Sequence, residues 1–96
     1  MNMNNDGRKH ELVNQAIEDF GGLLQDYRRK YFLTLEDMAS LVGCSASYIH
    51  RIEHGKRNPE IDFRIKVLTM GMNWSTERVY LFLEEVIYRE QKRKAE

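Results

Sequence analysis

The sequence predicts a single all-α domain, and three observations lead to that prediction. Apolar residues recur at intervals of three and four along most of the chain, which is the period of an amphipathic helix and not of a strand. The chain has one proline and six glycines, and several glycines stand where a helical pattern stops. Its 96 residues can bury one modest core. We therefore expect a compact five-helix-type bundle with extended N- and C-terminal helices.

Charge and composition limit the classes of protein to which this chain can belong. Lys and Arg total 15, as do Asp and Glu, so any attraction to polyanions must come from the distribution of charge. The one cysteine, Cys44, cannot form an intrachain disulfide. No apolar run approaches the ~20 residues of a membrane span, and the polar start lacks the apolar core of a secretory signal. We expect a cytoplasmic protein with no membrane partner and no cofactor.

The first 43 residues predict a tail followed by helices. Residues 1–10 are polar and predict a disordered N-terminal tail. The helical spacing that follows is interrupted by Gly21 and Gly22, which leaves either one weakened helix or two helices that meet there. Thr34 is the predicted N-cap of the next helix, and Asp37 completes a capping box. Gly43 ends that helix.

The rest of the chain predicts three more helices. Ser45 is the natural cap of a helix that Gly55 stops. A fourth helix follows over about residues 61–71, and the last one runs over about residues 75–92. The organisation expected from these elements is a domain over residues 11–74, which includes the N-terminal helix, and a C-terminal helix over residues 75–96.

The helix that Ser45 opens has an apolar side and a polar side. Ile49 and Ile52 share one side at helical spacing. The opposite side carries hydrogen-bond donors: Ser47, His50, Arg51 and His54. A short helix, a turn that contains glycine and a second, Ser-capped helix match the helix-turn-helix arrangement, whose second helix enters the major groove of DNA. The fold class is therefore an all-α bundle that contains a helix-turn-helix.

This second helix has the chemistry of base recognition. Three short side chains at its start let the backbone approach base edges: Ser45, Ala46 and Ser47. Arg51, one turn later, can reach a guanine with two parallel hydrogen bonds. Lys56 and Arg57 follow the helix and can neutralise phosphates, and the backbone amides beside Thr34 can bind another phosphate. The predicted function is that of a sequence-specific DNA-binding regulator.

The segment LLQDYRRKYFLTLEDMASLVGCSASYIHRIEHGKRNPE resembles the helix-turn-helix domain of the Cro/repressor type, the XRE family. The likeness lies in LxxYR before LT, in DMASLVG, and in YIHRIEHGKRNP, and it covers about residues 20–74. It implies a five-helix bundle that represses transcription by binding a palindromic operator as a dimer.

The resemblance also implies roles for individual residues. It assigns base reading to Ala46, Ser47 and Arg51, with His50 beside them. It assigns phosphate contacts to Thr34, Tyr48, His54, Lys56 and Arg57. It pairs Arg28 with Glu53 in a salt bridge internal to the fold. The chain departs from the family at Phe32, where glycine is usual, and at Gly71, which arrives one residue early.

The last helix predicts two apolar stripes, and a helix of that kind usually has two partners. One stripe consists of Val79, Phe82, Leu83 and Val86. The other consists of Trp74, Leu81 and Tyr88, which recur at sevens. The second stripe is covered either by the N-terminal helix or by a second copy. We favour a homodimer, because the half-sites of a palindrome need two reading helices about 34 Å apart.

Other interpretations stand beside this one. The neutral charge and the aromatic-rich VYLFLEEVIY favour a protein-interaction module of the antitoxin or anti-regulator type. His50 and His54 have the spacing of a two-histidine metal site, but the sequence places no third ligand beside them. Cys44 is expected to be a small apolar residue and not a redox switch. No catalytic constellation is present in the sequence, so we expect no enzyme.

Overall fold

The computed structural model describes the backbone of residues 3–95 and the side chains of residues 10–94. The described backbone is all-α, without a strand, as predicted. Its helices are α1 (Met3–Glu18), α2 (Phe20–Lys30), α3 (Leu35–Val42), α4 (Ala46–Glu53), α5 (Ile61–Lys66) and α6 (Thr76–Ala95), with a π-helical turn (Val67–Gly71) after α5. None of these helices is long and apolar enough to cross a membrane.

The N-terminal region consists of two helices, which decides between the two interpretations of the glycine pair. The break falls at Asp19, two residues before Gly21, and the Asp19 carboxylate caps α2 by accepting a hydrogen bond from the Gly22 amide at 3.0 Å. Helix α1 begins at Met3, within the segment over residues 1–10 where the sequence predicts a disordered tail. A nucleated helix extends by one hydrogen bond per residue even where side chains are polar. Residues 1 and 2 lie outside the described residues.

Caps set the bounds of α3 as the sequence predicted. The Thr34 hydroxyl accepts from the Asp37 amide at 3.0 Å, and the Asp37 carboxylate accepts from the Thr34 amide at 2.9 Å, so both halves of the capping box are present. Gly43 ends the helix in the left-handed conformation, at φ 84°.

The helix after Pro59 ends at Gly71, but its last turn is π-helical, and Met72 donates to the Val67 carbonyl at 2.9 Å.

One core joins all the helices. Helix α4 packs against α2 and α3, whereas α6 packs against α1 and the π-helical turn. Arg89 of α6 ties the two terminal helices together, since it donates to Glu18 and to Asn14, both at 3.0 Å. The predicted inner stripe of α6 faces this core: Val79 and Phe82 are buried, and Leu83 and Val86 are half-buried.

The predicted second stripe of α6 does not exist as one surface. Trp74 is 7% exposed and belongs to the core, so it is not available to a second copy. The reason is that α6 begins at Thr76, and Asn73, at φ 57°, turns the chain before the helix starts, so a helical count from Trp74 fails. Leu81 is half-buried against the core. Of the three residues only Tyr88 is exposed, at 56%.

Candidate nucleic-acid interface

Helix α4 presents a polar outer face, which consists of Ser47, His50, Arg51 and His54. All four are exposed, whereas Ile49 and Ile52 on the opposite side are fully buried. The amphipathic division predicted from the sequence is therefore present. Ser45 caps the helix, with its hydroxyl accepting from the Tyr48 amide at 3.1 Å. Ala46, at the first helical position, is half-buried.

Arg51 stands on the outer face without an acidic partner. Among residues 10–94, no carboxylate oxygen lies within 4.0 Å of its guanidinium. The Arg51 carbonyl stabilises the turn after α4, because it accepts hydrogen bonds from the amides of Lys56 and Arg57 at 2.8 and 3.3 Å. The side chain is thus free to meet a ligand while the backbone holds the turn that follows.

The exit from α4 is a Schellman motif. Gly55, at φ 71°, donates to the Ile52 carbonyl at 3.1 Å, and the Lys56 amide closes the wider ring to Arg51. This conformation disfavours any residue with a β-carbon. The motif turns the chain so that the exposed Lys56 and Arg57 follow the outer face directly.

An ion pair fixes α4 from behind. Arg28 Nε donates to Glu53 Oε2 at 2.7 Å and Arg28 Nη2 donates to Oε1 at 2.9 Å, so the pair that the resemblance implied is present and bidentate. The Glu53 side chain is 0% exposed. Its hydrogen bond raises the pKa of Arg28. Arg28 also donates to the Leu33 carbonyl at 3.0 Å, so one guanidinium joins α2, α4 and the connection to α3.

Gly21 brings α2 into close contact with α4. A β-carbon at this position would lie 2.3 Å from the Ile52 carbonyl oxygen, which no side chain tolerates without a backbone shift. Gln25 adds a hydrogen bond to Glu53 Oε1 at 3.3 Å. The sequence suggested Gly21 only as a weak point in a helix. A glycine inside a helical pattern can indicate that another backbone packs closely against the helix. The sequence does not show which element packs against Gly21.

The residues expected at phosphates differ in how available they are. Lys56, Arg57 and His54 are exposed. Thr34 is exposed too, but its amide and hydroxyl are used in the capping box, where the Asp37 carboxylate would compete with a phosphate. Tyr48 is half-buried, and its ring meets the edge of Phe63 with centroids 5.2 Å apart.

The two histidines of α4 stack on each other. Their ring centroids are 4.1 Å apart with an interplanar angle of 27°, and His54 Nδ1 lies 2.9 Å from the His50 carbonyl oxygen. Because a carbonyl only accepts, His54 Nδ1 is the donor in this contact. In the described part of the chain, no three His, Cys, Asp or Glu residues are grouped to hold a metal ion.

Burial raises the pKa of the Cys44 thiol, which makes it a poor redox switch.

Comparison with known protein families places α2 to α5 in one of them. Residues 19–67, half of the chain, match the family described as "Helix-turn-helix domain". The chain belongs to this helix-turn-helix family. The matched residues contain α2 to α5, and α1 and α6 lie outside them.

A curated relative carries the same motif. An "Uncharacterized HTH-type transcriptional regulator" of Archaeoglobus fulgidus is 28% identical to this helix-turn-helix protein over 68 residues, which are 71% of this chain and 94% of the relative. No solved structure matches the chain significantly.

Proposed function

We propose that this chain is a sequence-specific DNA-binding transcriptional regulator that reads its operator with α4. The observation that carries the proposal is the outer face of α4, where exposed donors stand on a helix that a buried ion pair fixes from behind. A preorganised, convex polar helix suits the major groove, which is about 12 Å wide. A regulator of this kind acts in the cytoplasm, and repression is the role that the resemblance to Cro-type proteins suggests.

Base reading falls to the start and middle of α4. Ser45, Ala46 and Ser47 have short side chains, so the helix can approach the base edges closely. Arg51 then supplies a planar donor pair that matches the O6 and N7 atoms of guanine, a contact worth about 1–3 kcal/mol of discrimination. His50 lies beside it and offers a ring nitrogen to a base edge.

Phosphates flank this reading helix. Lys56 and Arg57 follow the Schellman turn, and His54 stands at the end of α4. These groups would fix the position of the protein on the duplex, and Thr34 and Tyr48 would add weaker contacts, because Thr34 is engaged in the capping box and Tyr48 is half-buried. Each neutralised phosphate releases counterions, so affinity should fall steeply with salt although the net charge of the chain is zero.

A palindromic operator requires two copies, and the outer side of α6 is the surface that suits their contact. Tyr80, Ile87 and Tyr88 are exposed there at 62%, 57% and 56%. They take the place of the interface expected from Trp74 and Leu81. We propose a homodimer held by this side of α6, which leaves α4 of each copy free for one half-site.

Selection from a random duplex library tests the proposed function. The wild type should enrich one motif, and Arg51→Ala should bind the selected duplex roughly 5- to 150-fold more weakly, which corresponds to the loss of one bidentate base contact. Arg29→Ala is the matched control, because Arg29 is an exposed arginine on α2 and should leave affinity unchanged. Failure to enrich any motif, or unchanged binding by Arg51→Ala, would overturn the proposal.

A protein-interaction module is the second candidate. The exposed aromatic residues of α6 and the zero net charge favour it. A selection that returns no DNA sequence would support this alternative, in which α6 holds a protein and the helix-turn-helix serves as a scaffold.

A further inference from the structure

A cleft of about 500 Å³ lies between α1, α2 and the segment that leads into α6, away from the outer face of α4. Its volume is within the range of small-molecule sites. Tyr27 and Tyr31 contribute accessible aromatic surface, the largely buried Met72 and Trp74 contribute little, and Asp26, Lys30 and Arg78 contribute charge. An apolar wall with a few converging polar groups is the usual composition of a ligand site.

Arg78 is the unusual member of this set. Four arginines are half-buried in the part of the chain whose side chains are described: Arg28, Arg64, Arg78 and Arg89. Three of them donate through Nε to an oxygen of the chain at 2.7–2.8 Å. Arg78 Nε is buried and has no partner among the described residues. A buried donor without an acceptor costs free energy, so this guanidinium would gain from an acceptor that the described residues do not supply.

The surroundings of Arg78 favour an anion. Its guanidinium lies 5.3 Å from the centroid of the Trp74 ring, which stabilises the charge but is at most a weak hydrogen-bond acceptor. No carboxylate within residues 10–94 lies in ion-pair distance of Arg78 or Lys30. Asp26, the one acid of the cleft, accepts from Gln15 Nε2 at 3.2 Å, so part of its accepting capacity is used.

We propose that this cleft binds a small carboxylate whose body is planar and apolar. The carboxylate would pair with Arg78, assisted by Lys30, and the body would lie against Tyr27 and Tyr31. Guanidinium and carboxylate match in shape and charge, and aromatic walls favour a flat apolar group. This site is independent of the proposed DNA-binding face and uses none of its residues.

The single tryptophan provides the measurement. Trp74 is the only tryptophan of the chain, so a ¹H–¹⁵N spectrum contains one indole N–H signal, and that signal comes from the cleft. Indole-3-acetate and phenylacetate are the probes, and their neutral amides are matched controls. We expect a saturable shift of the indole signal with the carboxylates and at least tenfold weaker binding of the amides.

Variants assign the carboxylate to Arg78. Arg78→Gln should abolish the preference for carboxylate over amide, whereas Arg93→Gln, at an exposed position of α6, should preserve it. Lys30→Gln is a second cleft variant at an exposed position, and it should weaken carboxylate binding several-fold without a risk to folding. Absence of a saturable shift up to 10 mM probe, equal binding of acid and amide, or unchanged discrimination in both cleft variants would overturn the proposal.

Discussion

The Glu53 carboxylate lies beneath the C-terminal end of α4, fully buried, and accepts two hydrogen bonds from the Arg28 guanidinium of α2. Two residues earlier in the same helix, Arg51 points outward without an acidic partner among residues 10–94. One short helix therefore carries a charge that holds it in place and a charge available to a ligand. The Glu53 ion pair supports the proposed role of Arg51, because a base contact requires a reading helix in a fixed position.

The ion pair makes a strong prediction about stability. Arg28→Met should lower the free energy of unfolding by about 3–5 kcal/mol, because it leaves the buried Glu53 charge without its partner. Urea denaturation followed by circular dichroism measures the change. Arg29→Met, at the exposed neighbouring position, should stay within about 0.5 kcal/mol of the wild type. Similar losses in both variants would show that the pair has no special role.

The effect of Gly21→Ala on stability tests the close contact between α2 and α4. In an unobstructed helix, Gly→Ala stabilises by about 1 kcal/mol. Here the new methyl group would meet the Ile52 carbonyl oxygen at 2.3 Å, so Gly21→Ala should destabilise the protein by about 1–3 kcal/mol. Thermal unfolding measures this difference. A raised melting temperature in the variant would contradict the close contact between α2 and α4.

The caps and periodicities explain why much of this fold was predictable. Thr34, Gly43, Ser45 and Gly55 act locally, and the structure has a cap or a stop at each of them. Long-range relationships were harder to predict. Nothing local shows that Gly21 faces α4, and the heptad count was extended to Trp74, which lies before α6, although the helical spacing holds only inside the helix.

The candidate site was predictable to a similar extent. Helical periodicity placed the Arg51 side chain outside, since the buried Ile49 and Ile52 fix the opposite side. The cleft at Arg78 was not predicted, because its walls come from helices far apart in the sequence.

Phe32 is strained as well as exposed. It has a left-handed backbone at φ 56° and is 92% exposed, so its ring gains almost nothing from packing. Phe32→Gly should therefore stabilise the protein by about 1 kcal/mol, the cost of this conformation for an L-residue. Chemical denaturation tests it, with Tyr31→Gly as the control, because Tyr31 at φ −103° has no such strain to relieve. A loss of stability in Phe32→Gly would contradict this explanation.

The proposed dimer can be tested by sedimentation. The wild type should sediment as a dimer, and replacement of Ile87 and Tyr88 by glutamate should yield folded monomers, because two charges would be buried at the contact. Leu81 is unsuitable for this purpose, since it also packs on the core. Glu36→Gln, which removes a charge from an exposed position of α3 and leaves α6 unchanged, is the control. A wild type that sediments as a monomer would remove the dimer from the account.

The central claim is that α4 reads DNA, and amide chemical shifts measured during a titration with the selected duplex test it most directly. The account predicts that the largest changes cluster on Ser45, Ser47, His50 and Arg51, with smaller changes at Lys56 and Arg57, and that Arg51→Ala weakens the changes on α4. Changes confined to α6, or no change on α4 at saturating duplex, would contradict the claim.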